Sequence, residues 1–228
     1  MKSHPSGPNP LSQGFFLAIA GNIGVGKTEL TNRLSAELGW VAYYEPVIQN
    51  PYLDPFYRDM TRWSFHLQIY FLSERFKAQV EIGKGSLPFI QDRTIYEDAE
   101  IFARTLHAQG SMTDVDYENY TSLFEIMIGF LRKPDVILYL RANPETLMAR
   151  IARRGRESEK GIGIDYIQRL NDAYEGWMAR ASAETEVIVI DTDQVPLQGD
   201  TPAFRDLVER LKHRYPPQAE LRLEAPGL

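Results

Sequence analysis

The chain contains no cysteine. That excludes a disulfide framework, a thiolate metal centre and a cysteine nucleophile, and it fits a reducing compartment. No apolar run approaches the roughly 18 residues that a membrane-spanning helix needs, so no membrane partner is expected. Residues 1–13 carry Pro5, Pro8 and Pro10, but neither the hydrophobic centre of a signal peptide nor the arginines of an organellar transit sequence. They read as a disordered lead-in, and the protein as cytoplasmic. Histidine is scarce, and His4, His66, His107 and His213 match no metal or triad spacing. There is no basic stripe either; the net charge is −6 and the isoelectric point about 5.3. Polymeric DNA or RNA is bound largely through phosphate neutralisation, so such a partner is disfavoured, while a small ligand remains compatible.

What is present is an ordinary globular composition. The 228 residues are 43% hydrophobic and 25% charged, enough for one domain with a real core. Short apolar segments at Phe15–Ala20, Trp40–Tyr44, Leu87–Gln91, Val136–Leu140 and Val187–Ile190 read as strands. Helical patterns fill the gaps: Lys27–Leu38, Ser64–Ile82, Tyr96–His107, Tyr117–Arg132, Pro144–Arg153, Asp165–Arg180 and Pro202–His213. Short strands that are apolar on both faces and alternate with helices predict a parallel sheet covered on both sides. Ligands then sit beyond the carboxyl ends of the strands. Residues 14–214 form the expected single domain, followed by a loosely held tail over 215–228.

The most informative stretch is Gly21-Asn22-Ile23-Gly24-Val25-Gly26-Lys27-Thr28. It follows an apolar strand and opens a helix with Leu30, Leu34 and Leu38 on one stripe. Glycines let backbone N–H groups turn inward around phosphate oxygens, and the helix N-terminus adds partial positive charge. Lys27 reaches the β/γ phosphates and Thr28 can hold Mg²⁺. The pattern implies a nucleoside triphosphate ligand.

Further clusters fall where strands end. Glu45 precedes Pro46, which biases it toward an extended conformation. A strand-end glutamate alone is usually just solvated, but beside a phosphate loop it can accept the proton of an attacking hydroxyl. Asp92-Arg93-Thr94 ends the third strand. Asp92 can hold Mg²⁺ directly or through water, and Arg93 can meet developing phosphoryl charge. Thr94 and Glu97 stand at capping-box spacing, so Glu97 reads as structural. Asp98 fits a first-turn acid equally well. Arg150, Arg153, Arg154 and Arg156 surround Gly155, with Gly161 and Gly163 following. One or two of them suit the helix C-terminus alone, but the segment also suits a mobile lid over about 154–164. Two helices are apolar nearly all round: one carries Trp63, Phe65, Leu67, Phe71 and Phe76, the other Tyr120, Phe124, Ile126 and Phe130. Each is either a central core helix or, the preferred expectation, part of a four-helix homodimer interface.

Taken in order, these motifs resemble the deoxynucleoside kinase family, from about Phe15 to Trp177. The matching stretches are Gly-Asn-Ile-Gly in the loop, Glu45-Pro46-Val47, Trp63-Ser64-Phe65 with Gln68, and Leu72-Ser73-Glu74-Arg75. Asp92-Arg93-Thr94-Ile95-Tyr96-Glu97-Asp98 and Arg154-Gly155-Arg156 with Glu159 complete the set. The resemblance implies an α/β fold of the P-loop NTPase type: a five-stranded parallel sheet, helices on both faces and an arginine-bearing lid. It implies transfer of the γ-phosphate of ATP, or another NTP, to the 5′-hydroxyl of a deoxynucleoside, with Mg²⁺, in nucleotide salvage. Glu45 is then the base with Arg93 beside the same oxygen, Tyr57 and Glu159 hold the sugar 3′-hydroxyl, and Gln68, Arg75 and Asp98 meet the base. Arg150, Arg154 and Arg156 bind donor phosphates together with residues 21–28. The Arg75/Asp98 pair resembles the branch acting on deoxyadenosine, deoxyguanosine and deoxycytidine, with Val47, Leu53 and Phe71 as apolar walls. Two alternatives remain at this point: a thymidylate-type nucleoside monophosphate kinase, and a catalytically silent structural relative.

Overall fold

Phe16–Gly21 forms strand β1, and all six of its residues are buried. The computed structural model that contains it describes residues 14–44, 50–83 and 85–215. The lead-in 1–13, the segment Glu45–Gln49 with its candidate base, and the tail beyond Tyr215 lie outside the described residues. Four more strands, β2 (Val41–Tyr43), β3 (Phe89–Asp92), β4 (Val136–Arg141) and β5 (Glu186–Asp191), complete a wholly parallel sheet in the order β2-β3-β1-β4-β5. β1 is central, which is why its residues are apolar on both faces. It pairs with β3 from Phe16↔Phe89 to Ile19↔Asp92 and with β4 from Leu17↔Val136 to Gly21↔Leu140. From β1 the chain goes out to the β2 edge, returns through β3, and only then crosses to β4. That reversal opens a crevice beyond the carboxyl end of β1, where a doubly wound sheet binds its ligand.

Helix α1 (Lys27–Leu38) has the predicted bounds, ended by Gly39 in the left-handed conformation with its N–H donating to Ser35 O. Helix α2 (Leu53–Arg58) was not anticipated; six residues with Pro55 in the first turn are too few to show a helical period. Helix α3 (Met60–Ile82) begins four residues before the predicted Ser64, because the Asp59 side chain caps it by accepting the Arg62 N–H at 3.0 Å. Helix α6 (Asp114–Ile128) likewise starts early, on a Thr113 cap, and stops at Gly129 rather than at Arg132. The remaining long helices, α7 (Pro144–Arg154), α8 (Ile164–Ala181) and α9 (Pro202–Arg214), match their predicted positions to within one residue.

The predicted helix Tyr96–His107 is instead three pieces: α4 (Ile95–Glu97), a π-helical turn Asp98–Ala103, and α5 (Arg104–Ala108). Such wide turns cluster at functional sites, because they re-aim side chains without breaking the helix. Here Asp98 and Phe102, from this turn, both face the ligand cavity described below. The two apolar helices also differ from each other. On α3, Leu67, Phe71 and Leu72 are buried together with polar Gln68, Arg75 and Gln79. On α6, Tyr120 and Phe124 point inward while Ile126, and Phe130 just past the helix end, are 63% and 76% exposed. Tyr215, first residue of the predicted loose tail, is held: its ring stacks on Phe15 at 4.0 Å and its hydroxyl donates to Glu186 at 2.8 Å.

Candidate active site

The phosphate loop leaves β1 at Gly21 and enters α1 at Lys27. Gly21, Gly24 and Gly26 have φ of 146°, 83° and 105°, a region that side chains rarely occupy. At Gly21 the space is closed as well, since a Cβ would lie 2.4 Å from the Leu140 carbonyl oxygen. Lys27 is buried and its ammonium donates to the carbonyls of Gly21 and Asn22 at 2.8 and 3.1 Å. Asn22, expected among the triphosphate ligands, uses its side chain elsewhere: its amide donates to Ile167 O and Asn171 Oδ1 of α8, at 3.0 and 2.5 Å. Its side chain anchors the loop to α8.

Asp92 ends β3 beside β1, and the Thr28 hydroxyl donates to its Oδ2 at 2.5 Å. The other oxygen, Oδ1, is buried without a hydrogen-bond partner among the described residues. The next residue, Arg93, has φ 65°, the one positive value for a non-glycine among the described residues. Such a conformation costs about 1–3 kcal/mol and persists only when its surroundings over-determine it. They do so here. The Arg93 N–H donates to Ile19 O at 3.1 Å, its carbonyl accepts from Arg75 Nη1 at 3.2 Å, and its guanidinium lies 4.3 Å from the centre of the Phe102 ring. Arg75 Nε in turn donates to Asp98, and both side chains are only 2% exposed. One chain of contacts therefore joins Asp98 and Arg75 to the backbone of Arg93.

Asp92, Arg93, Asp98 and Phe102 line a cavity of about 420 Å³. Its lining includes Lys27 and Thr28 from the phosphate loop and α1, Gln68 and Phe71 from α3, and Tyr57, Arg154, Arg156 and Glu159. Tyr44, the last described residue before Glu45, is part of the wall too. The Gln68 side chain is buried, with Oε1 unpartnered among the described residues. Of the residues singled out in the sequence, Lys27, Thr28, Tyr57, Gln68, Asp92, Arg93, Asp98, Arg154, Arg156 and Glu159 border this one cavity, with Phe102 and Tyr166 among further lining residues. Arg75 and Arg150 do not line it, and Glu45 lies outside the described residues. The sequence singles out neither Phe102 nor Tyr166, since an aromatic on a helical stripe carries no sign of which cavity it borders.

The predicted lid segment runs from the end of α7 to the start of α8, and centres on a 3₁₀ turn, Glu157–Glu159. Glu159 accepts from Arg154 at 2.5 and 3.1 Å and stands 3.5 Å from Arg156 Nη1. Gly161 packs against α2, where a Cβ would lie 3.2 Å from Tyr57 O, so a larger residue would push the lid from α2 by a few tenths of an ångström. Arg150 is placed differently from the other arginines. It donates to Thr192 Oγ1 and O at 2.8 and 3.1 Å and faces Asp193 at 3.8 Å. It borders two clefts on the outer side of the phosphate loop, of about 290 and 210 Å³, and only the first also contains Arg154 and Arg156.

A deoxynucleoside kinase family model matches residues 17–214. The chain is 40% identical over 213 residues to the deoxyadenosine/deoxycytidine kinase of Bacillus subtilis (strain 168), covering 92% of this chain and 95% of that protein. It is 34% identical over 181 residues to the deoxyguanosine kinase of the same organism, covering 78% and 86% respectively. The structure of deoxyadenosine kinase from M. mycoides with bound dATP superposes with a TM-score of 0.76 at 29% identity, covering 87% of this chain and all of that one. Sheet order, phosphate loop and cavity agree with these similarities: the chain belongs to the deoxynucleoside kinase family.

Proposed function

We propose that this kinase transfers the γ-phosphate of ATP, or another NTP, to the 5′-hydroxyl of purine deoxynucleosides, accepts deoxycytidine more weakly, and serves cytoplasmic nucleotide salvage. The observation that carries the purine preference is Asp98, which lines the cavity with Gln68 and is held by the buried Arg75 behind it. A donor and an acceptor on the Gln68 amide, with the Asp98 carboxylate fixed by Arg75, suit the heteroatom-rich edge of a purine. A panel assay with ATP and each deoxynucleoside, reading ADP release, tests this. Deoxyadenosine and deoxyguanosine should turn over fastest, and turnover of thymidylate in place of any nucleoside would reverse the assignment. Asp98→Ala should move the kcat/KM ratio toward thymidine by about 10- to 200-fold, the range one pocket contact commands. An unchanged substrate ranking refutes the role of Asp98.

In this mechanism Glu45 accepts the proton of the 5′-hydroxyl and Arg93 steadies the oxygen beside it. Tyr57 and Glu159 hold the 3′-hydroxyl, a contact that favours deoxyribose. Lys27 and the loop amides receive the donor phosphates. Arg154 and Arg156 leave Glu159 for the transferring phosphoryl group, while Arg150 steadies the donor from the Thr192 side. Thr28 and Asp92 are hard oxygen donors at hydrogen-bond distance, with Asp92 Oδ1 still unpartnered among the described residues. They fit Mg²⁺. Bound there, the ion would supply charge neutralisation at the phosphate oxygens.

A homodimer completes the proposal, built on α6. Its exposed Leu123 and Ile126, with Phe130 just beyond its end, would pack against a second copy, together with the neighbouring end of α3. Sedimentation at micromolar concentration should give a dimer, and Ile126→Glu/Phe130→Glu a monomer. A wild-type monomer at that concentration rules the interface out.

A further inference from the structure

Glu97 was expected to be a helix cap, and its Oε2 does accept the Thr94 N–H, at 2.9 Å. Capping leaves the rest of its surroundings unexplained. Its carboxylate has no solvent exposure. Oε1 accepts the Gly21 N–H at 3.3 Å, where the phosphate loop leaves β1, and the Tyr174 hydroxyl at 2.8 Å, from the helix that follows the lid. Arg93 Nε stands 4.0 Å from the same oxygen. Burial pushes the carboxyl up, while Arg93 and then Lys27 pull it down. A helix cap needs one N–H. This carboxylate instead joins the donor side of the site, the acceptor side and α8, at the centre of a segment whose Arg93 holds a strained φ.

We propose that Glu97 is a positioning residue for phosphoryl transfer: it holds the guanidinium of Arg93 against the start of the phosphate loop, so that acceptor oxygen and donor phosphate meet in line. Displacements of about 1 Å in such an alignment cost on the order of a hundredfold in rate. The proposal rests on Arg93 acting beside the 5′-oxygen.

Four variants test it: Glu97→Gln, Tyr174→Phe, Arg93→Ala, and Glu97→Gln combined with Arg93→Ala. Near-UV circular dichroism gives the folded fraction, and kcat per folded protein is read with KM for deoxyadenosine and for ATP. Glu97→Gln should lower kcat about 30- to 100-fold with both KM values within about threefold, and Tyr174→Phe should lower kcat about three- to tenfold. The double variant should be slower than Arg93→Ala by no more than about fivefold, because Glu97 acts through Arg93. A structural cap would predict the contrary: losses that multiply, or kcat per folded protein within twofold of wild type, and either result overturns the proposal. Should Glu97→Gln not fold, Tyr174→Phe decides, and an unchanged kcat there is fatal. Normal turnover by Arg93→Ala removes the role of Arg93 and this inference with it. A slow Arg93→Ala beside a normal Glu97→Gln removes this inference alone.

Discussion

Replacing Arg154 and Arg156 together with alanine will lower kcat at least about a thousandfold, while KM for the deoxynucleoside changes less than about tenfold. The phosphoryl group in flight carries charge on its equatorial oxygens, and arginines brought to it by a closing lid contribute about 10³–10⁵ in rate. A thousandfold is about 4 kcal/mol of transition-state stabilisation. Both side chains border the cavity and also the cleft along Gly24–Glu29 on the outer side of the phosphate loop, so they can face donor and acceptor together. Stability should fall as well: Arg154 and Arg156 are 34% and 44% exposed, but the Glu159 carboxylate between them is only 7% exposed and would lose both cations. The check is single-turnover kinetics alongside a denaturant titration. A kcat within tenfold of wild type in the folded double variant would mean that these arginines order the lid and take no part in the chemistry.

Glu45→Gln will lower kcat at least about a hundredfold, close to 3 kcal/mol, with deoxynucleoside binding nearly intact. The amide keeps the size and one hydrogen-bond acceptor of the carboxylate but cannot take a proton. The rate should fall with KM held, as for an interaction made chiefly in the transition state. The chain leaves β2 at Tyr43, level with Gln91 of β3, and Tyr44 already borders the cavity that contains Asp92 and Arg93. Isothermal titration with deoxyadenosine, beside steady-state kinetics, separates binding from turnover. Normal turnover in this variant would assign proton acceptance to another group, with Asp92 next in line.

The parts of the site that were legible in the sequence share one property: their chemistry is local. The phosphate loop could be read because a strand, three glycines, Lys27 and Thr28 within a dozen residues form the binding surface almost unaided. The bounds of α1 came out right for the same reason, its start and its Gly39 stop being written beside it. The anchoring role of the Asn22 side chain was hidden because its partners, Ile167 and Asn171, lie about 145 residues away. Arg150 looked like one more lid arginine until β5 brought Thr192 and Asp193 alongside it. Glu97 met the local rule for a cap so well that nothing in its own segment hinted at Gly21 or Tyr174.

From its residues alone this chain declared a parallel α/β sheet, a triphosphate loop and the resemblance to deoxynucleoside kinases, since strand polarity, glycine placement and motif order are short-range properties. Tertiary structure decided the rest. It wound Asp98–Ala103 into a π-helical turn that carries Asp98 and Phe102 to the cavity, closed Arg75 onto Asp98, and left one face of α6 uncovered. Those outcomes depend on which distant side chains fill the same volume and which buried charges find each other, and neither follows from spacing along a single segment.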